Sequence, residues 1–181
     1  MSAGMRPAGA LVITTVYRIG SDTPSYTAED RSGAGAEKNP GRWNTKGAPV
    51  IYAASSRALA CLETLVQSAP GGAYPFNRDL VEYTIPAPAW EARITFDRED
   101  AGLIGWDAVP AGMVSKRWGT TWLASGDSLI AEIPSVLVVE ETNVLINPKH
   151  PDSPSITART SRKWIYDPHF WATGSSGSGL P

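Results

Sequence analysis

Histidine and cysteine are scarce in this chain of 181 residues: His150 and His169 are its two histidines and Cys61 its one cysteine. A single cysteine excludes an intramolecular disulfide framework, and its place in an apolar segment reads as a small core residue rather than a nucleophile. With no closely spaced set of histidine, cysteine and carboxylate ligands, no metal is expected. Ser/His/Asp catalysis is poorly supported as well, because no Gly-x-Ser-x-Gly elbow occurs and His150, in NPKHPD, reads as a turn residue. Neither the Walker pattern nor Gly-x-Gly-x-x-Gly is present. Long apolar runs are missing too: the stretch from Ala8 to Val16 is interrupted by Thr14 and Thr15, so neither a membrane span nor a secretory leader is expected. The expected setting is cytoplasmic. A net charge of −2 argues against a chain built to grip a nucleic-acid backbone.

What is present suffices for one well-cored domain, with 42% hydrophobic residues and no internal linker or repeat. Residues 1–10 read as a flexible lead-in, 11–171 as the domain, and 172–181 as a flexible or added tail containing GSSGSGLP. A first strand is expected over Leu11–Tyr17, ended by Arg18. From Gly20 to Pro40 no period is sustained, which is long for a structureless connection and suits a loop covering a ligand. Further strands are expected over Asn77–Ile85, Arg93–Phe96, Leu129–Ile133, Val136–Val139 and Val144–Ile146, and Ser68–Tyr74 reads as a turn. Ser115–Ala124 reads as a helix whose Trp118 and Trp122 share one face, which is first of all a core face. Pro134-Ser135 marks a bend between strands, where a side chain can be aimed at a cleft.

The chain is organised around Gly41–Gln67, which reads as loop, strand, turn and helix, with Ser55 or Ser56 capping the helix. That helix is apolar nearly all round and is expected to be buried, which makes Glu63 the odd residue. Residues three and four positions away carry no positive charge, so a partner must come from elsewhere. A carboxylate kept in such a place implies polar ligands or cations nearby, and Arg42 and Tyr52 lie just upstream. Arginines, an aromatic ring and one carboxylate suit a ligand with phosphates, a flat ring and a reacting sugar, as in nicotinamide adenine dinucleotide. Arginine forks clamp the pyrophosphate, Tyr52 stacks on the nicotinamide, and Glu63 stabilises an oxocarbenium-like carbon as nicotinamide leaves. By composition alone the plainer reading stands beside this one: Arg18 and Arg42 as surface ion-pair residues, Tyr52 as core, Ser135 as a turn hydroxyl.

YRIG at Tyr17–Gly20, GRWNTKGAPVIYAASSRALACLE at Gly41–Glu63 and IPSVLVVEETNVLINPKHPD at Ile133–Asp152 resemble the three signature blocks of the RES-domain toxins, named for an arginine, a glutamate and a serine. KWIYDPHF at Lys163–Phe170 resembles that family's closing strand. The resemblance implies an α+β fold, a single ADP-ribosyltransferase-like domain of the diphtheria-toxin type with a mixed sheet and flanking helices. It implies a toxin that breaks the nicotinamide–ribose bond of NAD⁺ and passes ADP-ribose to a protein, to water or to phosphate, paired with an Xre-like helix-turn-helix antitoxin that covers the site. By motif position the family's arginines fall on Arg18 and Arg42, its tyrosine on Tyr52 and its glutamate on Glu63. The serine falls on Ser135, with Ser115 and Ser125 as alternatives. A ribonuclease toxin and a non-catalytic interaction domain, in which Glu63 merely pairs with Arg18 or Arg42, are the competing readings.

Overall fold

The computed structural model describes residues 13–24, 26–67 and 76–167. The expected lead-in 1–10, turn 68–74, tail 172–181, and His169 lie outside these. The described residues form a seven-stranded mixed sheet, an α+β arrangement as the sequence implied. The strands are β1 (Thr14–Ser21), β2 (Ile51–Ala54), β3 (Arg78–Ile85), β4 (Ile94–Thr95), β5 (Ile130–Pro134), β6 (Thr142–Ile146) and β7 (Thr157–Trp164). They lie in the order β4-β5-β6-β2-β1-β3-β7, antiparallel except for the β4–β5 pair. The helices are α1 (Ala34–Lys38), α2 (Arg57–Gln67), α3 (Ala87–Glu91) and α4 (Met113–Ser125).

Both faces of the sheet are covered. One face gathers Val16, Ile51, Ala53, Val81, Tyr83, Val144 and Ile146, with Trp90 of α3 packed against them. On the other face Leu59 and Ala60 of α2 meet Ile19, Ala54 and Leu80. Further along that face Trp43, Val50, Phe96 and Trp122 pack on Ala131, Ile133 and Leu145. The period-two alternation of β-branched residues thus builds two cores from one sheet.

Where the sheet is weakly joined decides where a ligand can enter. β1 and β3 are paired along all eight residues, from Thr14↔Ile85 to Ser21↔Arg78, and β2 and β6 along four. β1 and β2, by contrast, share the single pair Tyr17↔Ala54. Beyond that pair the strands diverge, and a cleft of about 720 Å³ opens between the two halves of the sheet.

Several sequence expectations are corrected. β1 does not stop at Arg18 but continues to Ser21, because β3 supplies hydrogen-bond partners to its end. Gly20 lets that end pass beneath the following loop, where a Cβ would lie 2.9 Å from the Ala28 carbonyl oxygen. The stretch from Gly20 to Pro40, read as a loop covering a ligand, contains α1 and a short bridge between Thr23 and Tyr26, and its Tyr26, Ala28 and Pro40 line the cleft. Val136–Val139 is no strand, because the Ser135 hydroxyl accepts the N–H groups of Leu137 and Val138, both at 3.1 Å, and turns the chain back. The closing strand is Thr157–Trp164, so only Lys163 and Trp164 of KWIYDPHF belong to it. Finally, α2 is half-buried rather than enclosed: Leu59 and Ala60 are covered, while Leu62 is 37% and Val66 52% exposed.

Candidate active site

The cleft takes its walls from β1, β2, α2 and the loop that precedes β2, and Arg18, Arg42, Tyr52 and Glu63 all line it. Residues 45 positions apart in sequence therefore meet as the residue chemistry required. α2 carries Glu63, and its start is fixed by Ser56, whose Oγ accepts the Leu59 N–H at 3.1 Å. The same hydroxyl donates to Glu141 Oε2 at 2.6 Å, tying the helix cap to the β5–β6 turn. That turn brings Ser135 up to the helix.

Glu63 finds neutral donors rather than a cation. Ser135 Oγ donates to Glu63 Oε1 at 3.1 Å and Asn143 Nδ2 to the same oxygen at 2.5 Å. Oε2 accepts no hydrogen bond from the described residues, and no cation there lies within 4.0 Å of the carboxylate. One oxygen is anchored, the other accepts nothing from the described residues, and Glu63 lines the cleft, which is how a carboxylate is held to meet a ligand hydroxyl or a developing positive charge. Ser135 itself is fully buried behind the wall, so it acts on the cleft through Glu63. Ser115 is buried within α4, and Ser125 is an exposed residue of that helix's last turn whose Oγ donates to the Trp122 carbonyl. Neither lines the cleft.

Tyr52 is fixed at its hydroxyl. It accepts the Trp43 N–H at 2.9 Å and donates to Asn44 Oδ1 at 2.8 Å. Burial pushes this phenol well above the ordinary tyrosine range, against the opposing pull of the Trp43 N–H and the Arg42 charge. Gly41 lies against the ring, where a Cβ would stand 2.8 Å from Tyr52 Cζ. Asn44 is the buried hub: its Nδ2 donates to the carbonyls of Ala36 and Ala48, and its Oδ1 also accepts the Gly41 N–H. The GRWN segment is thereby a rigid loop rather than a floppy one.

Arg42 leaves that loop toward the neighbouring chain segment, and its Nη1 donates to the carbonyls of Trp106 and Ala108 at 3.0 and 2.8 Å. Beneath it Trp43 packs on Phe96, Trp106 and Trp118, with ring centroids 4.8, 6.0 and 5.5 Å away. The Trp118–Trp122 face is core, as its spacing suggested. Arg18 lies beside Tyr83. Among the described residues neither Arg18 nor Arg42 has a carboxylate within ion-pair distance, so their charges are available to an anion. Tyr17, also on the cleft wall, is covered by the Arg57 guanidinium at 4.2 Å, which in turn pairs with Glu82 at 3.0 Å.

Sequence reasoning missed Asn143 and Asn44. Each carried a signal: Asn143 sits on the β6 face that Leu145 shares, where an apolar residue would be the default, and Asn44 follows a tryptophan in a turn-rich stretch. Cys61 is partly buried against the α2 core, and burial pushes its thiol up, away from nucleophilic use. No group of three or more metal-ligating side chains occurs among the described residues, and no helix there is long and apolar enough to cross a membrane.

Comparison with known proteins places this geometry. A "Prs ADP-ribosylating toxin" of Sphingobium sp. (strain YBL2) is 50% identical over 159 residues, covering 87% of this chain and 96% of that protein. A "Toxin Res" of Yersinia enterocolitica is 38% identical over 125 residues, 69% of this chain and 79% of the relative. Among solved structures, the M. tuberculosis MbcT–MbcA toxin–antitoxin complex contains a chain that superposes with a TM-score of 0.60 at 18% identity, covering 83% of each chain, a likeness of fold. The RES domain family matches residues 15–169, nearly the whole described sheet with its cleft, and the chain belongs to that family.

Proposed function

We propose that this protein is the toxin of a toxin–antitoxin pair and that it cleaves the nicotinamide–ribose bond of NAD⁺ in the cleft between β1 and β2. The observation that carries the reading is Glu63: a carboxylate anchored at Oε1 by Ser135 and Asn143 on the wall of a cleft that also takes in Arg18 and Arg42, neither of which meets a carboxylate among the described residues. In this reading Arg18 and Arg42 take the pyrophosphate charge, and Tyr52, held by Asn44, offers its ring to the nicotinamide. Glu63 accepts a ribose hydroxyl and stabilises the positive charge that develops at C1′. The C1′–N bond breaks with its electron pair leaving on neutral nicotinamide. The acceptor's nucleophilic atom then bonds to C1′ and gives up its proton. That acceptor is a protein side chain, or water or phosphate in a reaction that depletes NAD⁺; the ADP-ribosylating relative supports the first.

Such a site must be silenced when the toxin is made in balance. An Xre-like antitoxin covering the cleft is the partner this reading requires, and α2, which lines the cleft with Glu63, also exposes Leu62 and Val66. The expected setting is the cytoplasm, where NAD⁺ and the antitoxin are.

Glu63→Gln tests the reading. It keeps the size of the side chain and removes its charge, so NAD⁺ turnover is expected to fall about 10²-fold or more, with growth arrest lost and the fold retained by circular dichroism. Growth arrest by a folded Glu63→Gln protein would overturn the assignment.

A further inference from the structure

Arg78 opens β3 and is the third arginine on the cleft wall, one that neither the motif blocks nor the reaction scheme uses. Its Nε is shut away from water and has no hydrogen-bond partner among the described residues. Among the described residues no carboxylate lies within ion-pair distance of it. The adjacent Asp79 is committed to Lys163 at 2.9 Å. A guanidinium N–H buried without an acceptor is unfavourable, and it gains one from a ligand in the cleft when the side chain turns toward it.

Its position along the cleft says what that something is. Arg78 is paired with Ser21, four residues along β1 from Tyr17 and so about 13 Å further at the rise of a strand. Glu63 is held at the Tyr17 end, because Asn143, which donates to it, pairs with Ala54 and Ala54 pairs with Tyr17; Thr64 and Gln67 of α2 also line the cleft. Arg78 thus belongs to the end of the cleft remote from the carboxylate, while Tyr52 and Arg42 come from the opposite wall. The start of β3 is itself pinned, because Asn77, at φ 59°, donates from Nδ2 to the Asp22 carbonyl at 2.7 Å. An arginine fork on the cleft wall whose charge meets no carboxylate of the described residues is suited to a phosphate oxygen.

We infer that Arg78 binds the adenylate-side phosphate of the dinucleotide, anchoring the ligand at the end of the cleft away from the bond that breaks. The inference rests on the NAD⁺ reading. An anchor remote from C1′ is felt equally in the ground state and the transition state, so it sets KM and leaves kcat alone.

The test uses the full chain, Arg78→Gln and Arg78→Lys, with two readouts: steady-state turnover of NAD⁺ and calorimetric binding of ADP. Arg78→Gln is expected to raise KM for NAD⁺ about tenfold with kcat within about twofold of wild type, and to weaken ADP binding by the same factor. Arg78→Lys, which keeps the charge without the fork, is expected to fall between and keeps the test open if the glutamine variant does not fold. Unchanged KM and unchanged ADP affinity, or a loss confined to kcat, would overturn the inference. A wild-type protein that binds ADP but leaves NAD⁺ intact would instead count against the enzymatic reading, with the ADP comparison still deciding the role of Arg78.

Discussion

At the scale of single residues, the central feature is that Glu63 is held by two neutral donors on one oxygen. Removing either should loosen the carboxylate without unfolding the protein. Ser135→Ala and Asn143→Ala are each expected to lower kcat about tenfold to 100-fold, the range of a lost hydrogen bond to a charged group. The double variant should cost less than the product of the two, because both act on the same atom. Turnover of NAD⁺ by the four proteins measures this directly. Tyr52 makes a different prediction, in pH. Its folded-state pKa is raised, so its contribution to stability is complete below the ordinary value of 10.0 and is lost as pH rises above it. The melting temperature should therefore fall progressively as pH rises above about 10. In Tyr52→Phe the fall should be shallower, though not absent, since burial raises Tyr83 as well. Glu63 and Tyr52 were legible in the sequence because each broke or completed a pattern. Asn143 stood out only as a polar residue on an apolar face of β6, and its donor role exists only once α2 lies over that strand.

At the scale of elements, α4 supports the GRWN loop from behind. Gly119 touches it so closely that a Cβ would lie 2.0 Å from the Trp43 carbonyl oxygen, and Thr120 Oγ1 accepts the Thr45 N–H at 3.0 Å. Gly119→Ala must push loop and helix apart, at a cost of about 2 kcal/mol or more. That corresponds to a fall of roughly 5 °C in Tm for a chain of this size. Because Arg42 rides on the displaced loop, and the loop's Trp43 and Asn44 hold the Tyr52 hydroxyl, KM for NAD⁺ should rise in the same variant, which differential scanning and kinetics together would show. Most elements could be read from period and punctuation: β2, β3, β4, α2, α4, β5 and β6 all lie near where the pattern put them. The misreadings share a cause, hydrogen bonds that composition does not display. Val136–Val139 has every mark of a strand by composition, yet the Ser135 hydroxyl captures its N–H groups first. β1 runs past Arg18 because β3, some sixty residues later, extends the ladder.

At the scale of the whole molecule, the account depends on a sheet that is tightly laddered within each half and joined between β1 and β2 by one residue pair. No local pattern announces such a seam. It follows from strand order, which only the folded chain displays, whereas the family blocks in the sequence pointed to the residues that gather there. The seam creates the cleft, the cleft collects the free arginines, and α2 delivers the carboxylate. The most direct test is incubation of the purified protein with NAD⁺ labelled on its adenylate half, with and without cell extract, alongside Glu63→Gln. The account predicts that wild type alone releases nicotinamide, with the label moving to a protein band or to free ADP-ribose or its phosphorylated form according to the acceptor. NAD⁺ left intact by the folded wild-type protein, or consumed equally by Glu63→Gln, would contradict it.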